Sequence, residues 1–329
     1  MTNYIDYKAV IEYYFKIKNK EGKIVPFIFN DVQDAYYLLL KKDYPNLKGI
    51  RENILKARKE GFSSLVAAIF TVDFISSGLK KIPVTSSQVI AHREADVKPH
   101  FNRINLFLES WMEKQKIERK KFLKIDNETS YLKNIADAEF SVGTAGAKAM
   151  GRGGDTLNLH WTEIGFYPNT PIINAEDLVV GAEKQVPLGI GKIFRESTGN
   201  VVGDFWNDEY NRGLEKDGQR ESNFRSRFFP WFAHKEYRVP CPPAFKFSIN
   251  ELEIRSAYQL DSDQLYWYHL ESKSVKDVNK FRREHPCSEQ EAFLSGGSCF
   301  FDLATLRWYL SKVKKPIWEG FLAPSGEKI

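Results

Sequence analysis

Lys56-Ala57-Arg58-Lys59-Glu60-Gly61-Phe62-Ser63-Ser64 is the stretch on which the reading of this chain turns. Laid against the phosphate-loop pattern G-x-x-x-x-G-K-S/T, residues 56–63 have its length, with Lys56 where the first glycine belongs and Phe62 where the lysine belongs. The physical parts of such a loop are still present. Gly61 allows close backbone approach, the Ser63 hydroxyl suits Mg²⁺, and basic side chains for phosphates stand nearby. A polar strand-to-helix turn would carry the same residues, so the surroundings must decide.

Residues up to Ala57 read as a strand. From Ser63 to Ser77, apolar residues at Leu65, Ala68, Ile69, Val72, Phe74 and Ile75 predict a buried helix that starts where the loop ends. Residues 34–42 predict a preceding helix. Strands at 88–92, 140–145, 157–161 and 191–195 alternate with helices at 95–111 and 174–184. Such alternation predicts an α/β fold with a mainly parallel sheet flanked by helices. From about residue 203 the pattern changes to a helix at 204–216, an aromatic strand-like run at 224–232 and helices at 261–273 and 275–285. The expected division is a core at 1–202, a smaller lobe at 203–302, and a tail at 303–329 that opens with a helix at 303–313.

With 329 residues, 42% hydrophobic, 28% charged and 14% aromatic, the chain has the composition of a large folded protein. No run approaches the roughly 18 apolar residues of a membrane span, and Met1-Thr2-Asn3-Tyr4 does not begin a signal peptide, so a cytosolic protein is expected. Cys241, Cys287 and Cys299 are odd in number and widely spaced, which suits reduced thiols. The net charge of +5 permits a polyanionic partner. Lys114, Lys116, Arg119, Lys120, Lys121 and Lys124 form a basic cluster that fits a solvated face or a DNA contact, and Arg225 and Arg227 form another. His92, His100 and His160 lack metal spacing, and neither a serine-nucleophile elbow nor a compact two-metal acidic cluster is visible.

A nucleotide hydrolase also needs a carboxylate at the end of a second strand to position the attacking water. Glu163 stands there, after the alternating Leu157, Leu159 and Trp161; Thr162 takes the place where an Mg²⁺-associated aspartate is usual. Arg152 lies in the glycine-rich loop 151–154, where an arginine could reach a neighbouring subunit's nucleotide. Glu196-Ser197-Thr198-Gly199-Asn200 offers hydroxyl and amide groups at a strand's C-terminal edge. The Gln33 amide can read an adenine edge or simply open a helix.

In this order the pieces resemble the ATPase domain of tailed-bacteriophage large terminase subunits, the motors that package DNA into proheads. Gln33 matches the glutamine motif, residues 56–64 a deviant Walker A, Leu159-His-Trp-Thr-Glu163 the Walker B and residues 196–200 the coupling motif. Residues 89–92, and residues 284–294 ahead of Ser295-Gly296-Gly297, also look like that family; the similarity spans residues 27–302.

The resemblance implies a P-loop NTPase of the additional-strand (ASCE, RecA-like) type with a small C-terminal lobe, using ATP and Mg²⁺. Lys56 or Arg58 would contact the phosphates, residues Lys59, Glu60, Gly61, Phe62 and Ser64 would lie along the nucleotide, and Ser63, Thr162 and Glu163 would serve the metal. Glu163 would be the catalytic carboxylate, Arg152 a trans-acting arginine finger, and Thr198 and Asn200 the coupling residues. The implied partners are double-stranded DNA, a portal protein, a small terminase subunit and further copies in a ring, in the host cytoplasm. Two departures stand out: the family's frequent Arg-Gln pair reads Arg58-Lys59, and the chain stops at Ile329 without the usual nuclease domain, so a motor half without DNA cleavage is expected. The alternatives are a helicase-like or remodelling ATPase, or a nucleic-acid-binding scaffold with a vestigial loop, for which Phe62 and Thr162 speak.

Overall fold

The computed structural model describes residues 5–127, 129–145, 156–167, 174–293 and 312–313. Arg152, Cys299 and most of the helix expected at 303–313 fall outside them. The chain divides into two compact units, Met1–Leu294 and Ser295–Ile329, and the fold described below is that of the first.

Its strands are β1 (Lys16–Lys18), β2 (Ile24–Pro26), β3 (Arg51–Lys56), β4 (Ser86–Ala91), β5 (Leu123–Asn127), β6 (Tyr131–Asn134), β7 (Glu139–Thr144), β8 (Asn158–Thr162), β9 (Lys192–Ser197) and β10 (Arg225–Phe229). Its helices are α1 (Tyr7–Tyr14), α2 (Asp31–Asp43), α3 (Phe62–Gly78), α4 (Glu94–Gln115), α5 (Arg119–Phe122), α6 (Ala175–Glu183), α7 (Phe205–Arg212), α8 (Ile249–Tyr258), α9 (Ser262–Ser274), α10 (Val278–Glu284) and α11 (Glu289–Ala292). Among the described residues no helix is long and apolar enough to cross a membrane.

β1 and β2 form a small hairpin, and the other eight strands form one sheet in the order β10-β3-β9-β8-β4-β7-β6-β5. From β10 to β7 every pairing is parallel; β6 and β5 close the far edge antiparallel. The loop-bearing strand β3 and the Glu163-bearing strand β8 are thus separated by an added strand, β9. β3, β8 and β9 are buried along their whole length, as expected of parallel strands with helices on both faces. Successive residues divide between two hydrophobic clusters: Ile54, Val89 and Phe194 face one, and Leu55, Ile90 and Ile193 face the other. α3 lies in the first cluster and is buried on every face from Leu65 to Gly78, which is why its apolar residues do not form a narrow stripe.

The aromatic run expected in the appended lobe is edge strand β10, paired with β3. Arg227 donates to Glu52 at 2.7 Å and pairs with Asp43, while Phe229 packs on Tyr36 and Phe62, so charge pairing and aromatic packing together draw it into the sheet. After β10, Trp231, Trp267, Tyr268 and Phe281 form a third cluster, which also takes in Ala57 of the loop. Of the basic residues around 114–124, Arg119 pairs with Asp126 at 2.6 Å, Lys121 with Glu118 at 2.8 Å and Lys124 with Asp137 at 2.9 Å. Two short strands, β5 and β6, which the sequence reading does not predict, form beside them.

Candidate active site

The chain leaves β3 at Lys56 and enters α3 at Phe62, and the loop between them bends through two left-handed residues, Lys59 (φ 62°) and Gly61 (φ 90°). A Cβ on Gly61 would lie 2.6 Å from Gln33 Nε2, so this glycine is required for both conformation and space. Gln33 and Asn30 form a capping box at the start of α2. From there Gln33 Nε2 donates to the Gly61 carbonyl at 2.9 Å and Asn30 Nδ2 to the Glu60 carbonyl at 3.1 Å. On the other side the Arg58 amide donates to the Glu284 carbonyl at 2.9 Å, and the Tyr237 hydroxyl donates to the Arg58 carbonyl. The loop is therefore held by α2 and by the segment after β10.

Phe62 points into the core against Tyr36 and Phe229 and does not face the loop's mouth. The ammonium comes instead from the strand end. Lys56 Nζ lies 2.9 Å from Glu163 Oε1 and 3.2 Å from Glu196 Oε2, with the lysine almost wholly buried. Burial works to lower the Lys56 pKa, but Glu163 and Glu196 outweigh it and hold the ammonium charged well above the usual range.

Glu196, fully buried on β9, accepts from the Ser63 hydroxyl as well as pairing with Lys56, and His160 Nε2 lies 3.5 Å away. Burial pushes its carboxyl up, but Lys56, His160 and Ser63 together hold it well below the usual carboxylate range. Glu163 follows β8 in a left-handed conformation (φ 54°), and Ser197 Oγ donates to its second oxygen at 3.4 Å. Asn200 Nδ2 donates to the Gly165 carbonyl at 2.8 Å, fastening the stretch after β9 to the turn after β8.

These groups open into a cleft of about 480 Å³, lined among others by Ser63, Thr162, Glu163, Thr198, Arg58 and Arg103. It lies at the C-terminal ends of the parallel strands, where open α/β sheets bind ligands. Arg58 at its lip pairs with Glu284 at 2.8 Å, and Arg93 pairs with Asp96 at 3.1 Å. No carboxylate among the described residues pairs with Arg103; its guanidinium donates to His100 Nδ1 at 3.1 Å. Burial, with the Arg103 charge adding to it, lowers the His100 pKa to about 3, which keeps that imidazole neutral and able to accept. No group of three or more His, Cys, Asp or Glu among the described residues is placed to hold a metal.

The fold has counterparts among solved structures. The large terminase of bacteriophage HK97 superposes with a TM-score of 0.57 at 16% identity, over 87% of this chain and 55% of its own. The large terminase ATPase domain of Thermus phage P74-26 is also similar, with a TM-score of 0.45, 14% identity, and 71% of this chain and 87% of that one covered. No protein-family model matches the chain, and no curated protein matches it by sequence. The chain has the fold of a large terminase ATPase domain.

Within that terminase fold, the residues singled out in the sequence take different places. Ser63, Thr162, Glu163 and Thr198 converge on one cleft, with Arg58 at its edge and Lys56 buried behind it on Glu163. Gln33 is buried with its amide oxygen bonded to the Asn30 amide and its nitrogen to the loop, so it braces the loop rather than offering a free edge. Glu60 is 0% exposed, and neither carboxylate oxygen has a hydrogen-bond partner; burial raises its pKa well above the usual range. In the sequence Glu196 reads only as the start of a hydroxyl-rich turn, yet it is buried behind the cleft, where it joins Ser63 of the cleft wall to Lys56. The available signal was the Arg195-Glu196 pair directly after the apolar Ile193-Phe194 of a strand, since a charge buried there needs partners.

Proposed function

We propose that the chain is the ATP-hydrolysing motor domain of a viral terminase large subunit that drives double-stranded DNA into a prohead. The observation that carries this reading is Lys56, whose buried ammonium at the end of β3 lies between the carboxylates of Glu196 and of Glu163, the latter on the cleft wall. A vestigial loop would have no need of a buried lysine held there; in this chain the phosphate cation stands at the loop's first position, and Phe62 is core.

The residues present fit a nucleotide with Mg²⁺. Loop amides at the start of α3 suit a phosphate, Ser63 supplies a hydroxyl, and Arg103 supplies a cation free of any carboxylate among the described residues. Mg²⁺ bound mainly through phosphates and water needs few protein ligands, so Ser63, Thr162 and Glu163 suffice as candidates. When bound, Mg²⁺ would neutralise charge between the β- and γ-phosphates. Lys56 would exchange its carboxylate contacts for the phosphates, which leaves Glu163 free to orient a water for in-line attack. The tie from Asn200 to Gly165 supports a coupling role for Thr198 and Asn200, because a shift after β9 would be felt beside Glu163.

Arg152 would complete a neighbouring subunit's site in a ring on a portal protein, with the small terminase subunit as a further partner in the host cytoplasm. DNA would be gripped through its phosphates and so lose affinity with salt. The test is ATP hydrolysis by the full chain beside Lys56→Ala and Glu163→Gln. Glu163→Gln should bind ATP but lose about 10²–10⁴-fold in rate, and a rate close to wild type would overturn the assignment. Arg152→Ala mixed with Glu163→Gln should regain hydrolysis if the arginine acts in trans.

A further inference from the structure

At the end of β8, where an Mg²⁺-associated aspartate is usual, this chain has Thr162, and the structure places a carboxylate one strand away. Thr162 and Glu196 are direct register partners across the parallel pair β8 and β9. Register partners project to the same face of a sheet, and neighbouring strands lie about 4.8 Å apart. β9 is also the immediate neighbour of β3, so Glu196 stands one strand closer to the loop than Thr162 does. From there one carboxylate oxygen accepts from Ser63, and the other lies 3.2 Å from Lys56 Nζ.

We infer that Glu196 takes over the work of the missing β8 aspartate: it orients the Ser63 hydroxyl and supplies the carboxylate charge facing Mg²⁺. The inference rests on the ATPase reading and deepens it. Two displacements then go together: the cation has moved from position 62 to Lys56, and the metal-facing carboxylate from position 162 to Glu196. The pairing of the two in this structure is their common consequence, because both have shifted toward the gap between β3 and β8. Oxygen is the right donor for a hard cation, and a full negative charge suits Mg²⁺ better than the neutral Thr162 hydroxyl.

Binding of a non-hydrolysable ATP analogue with an imido β–γ bridge, titrated with Mg²⁺, tests this without turnover. Glu196→Gln keeps the shape and removes the charge. It should raise the Mg²⁺ concentration for half-maximal analogue binding by about 10- to 100-fold, the range for loss of an outer metal-site partner. Adding Thr162→Asp to Glu196→Gln should recover most of that shift, since it restores a carboxylate at the paired register position. Should Glu196→Gln fail to fold, Glu196→Asp, one methylene shorter, should shift the midpoint in the same direction. An unchanged Mg²⁺ midpoint in the folded variant overturns the inference alone, provided wild-type binding needs Mg²⁺ and is weakened by Lys56→Ala. A wild-type chain that does not bind the analogue overturns the ATPase reading and this inference together.

Discussion

The ammonium of Lys56 and the carboxylate of Glu163 meet at 2.9 Å across β9, joining the first residue of the phosphate loop to the residue after β8. Glu196, from the strand between, shares the same ammonium. A buried cation between two carboxylates is held by mutual compensation, and removing one member leaves the others exposed to the full cost of burial.

Lys56→Met should therefore lower both activity and stability. Loss of the pairing leaves Glu196 buried beside Ser63 and His160 only, at a cost of about 3–5 kcal/mol. Urea unfolding should show that loss, and ATP hydrolysis should fall by about 10²-fold or more. A stable variant with normal turnover would show that the lysine serves neither purpose.

Gly61→Ala should strain the loop directly. The left-handed backbone at φ 90° costs a non-glycine residue about 1–2 kcal/mol. The new methyl would also press on Gln33 Nε2, at 2.6 Å. Because Gln33 braces the loop, nucleotide affinity should fall along with the melting temperature. Thermal unfolding and analogue binding measured on one preparation would check both.

Glu60→Gln should stabilise the protein, and the gain should depend on pH. The folded-state pKa of Glu60 lies above its unfolded value, so folding favours the protonated form and wild-type stability falls as pH rises through the unfolded carboxylate range near about 4.3. Below that range both variants are neutral at this position and should unfold alike. At pH 7 the glutamine variant should be more stable by about 1 kcal/mol or more. Unfolding midpoints at pH 4 and pH 7 would reveal the difference; a gain that does not grow with pH would contradict the sign.

Arg103→Ala should behave unlike Lys56→Met. With no carboxylate among the described residues paired to Arg103, its removal breaks no ion pair, so the loss of stability should stay below the about 3–5 kcal/mol expected of Lys56→Met. Affinity for a nucleoside triphosphate analogue should fall by about tenfold or more, the worth of a charge-assisted contact to phosphate. Equal binding by variant and wild type would remove Arg103 from the phosphate site.

Residues 51–78 were legible because their signals are local. A buried strand, a left-handed glycine and an apolar helix follow one another within the chain, and Glu163 sits where an alternating strand ends. The limits of the lobe were less legible. β10 carries Arg225 and Arg227, which read as surface charge until Asp43 and Glu52 are seen facing them. α8 buries none of its residues, so it left no apolar rhythm to read.

What the sequence by itself determined is the strand-loop-helix unit and its place in a parallel α/β sheet, since periodicity and glycine conformation act over a few residues. Only the tertiary structure decided which side chains fill the loop's mouth. Phe62 turns inward because Tyr36 and Phe229 offer it an aromatic pocket, and Lys56 supplies the ammonium in its place. Ser63 meets Glu196 across 133 residues of chain because strand order and register, set by the packing of the whole sheet, bring β9 between β3 and β8.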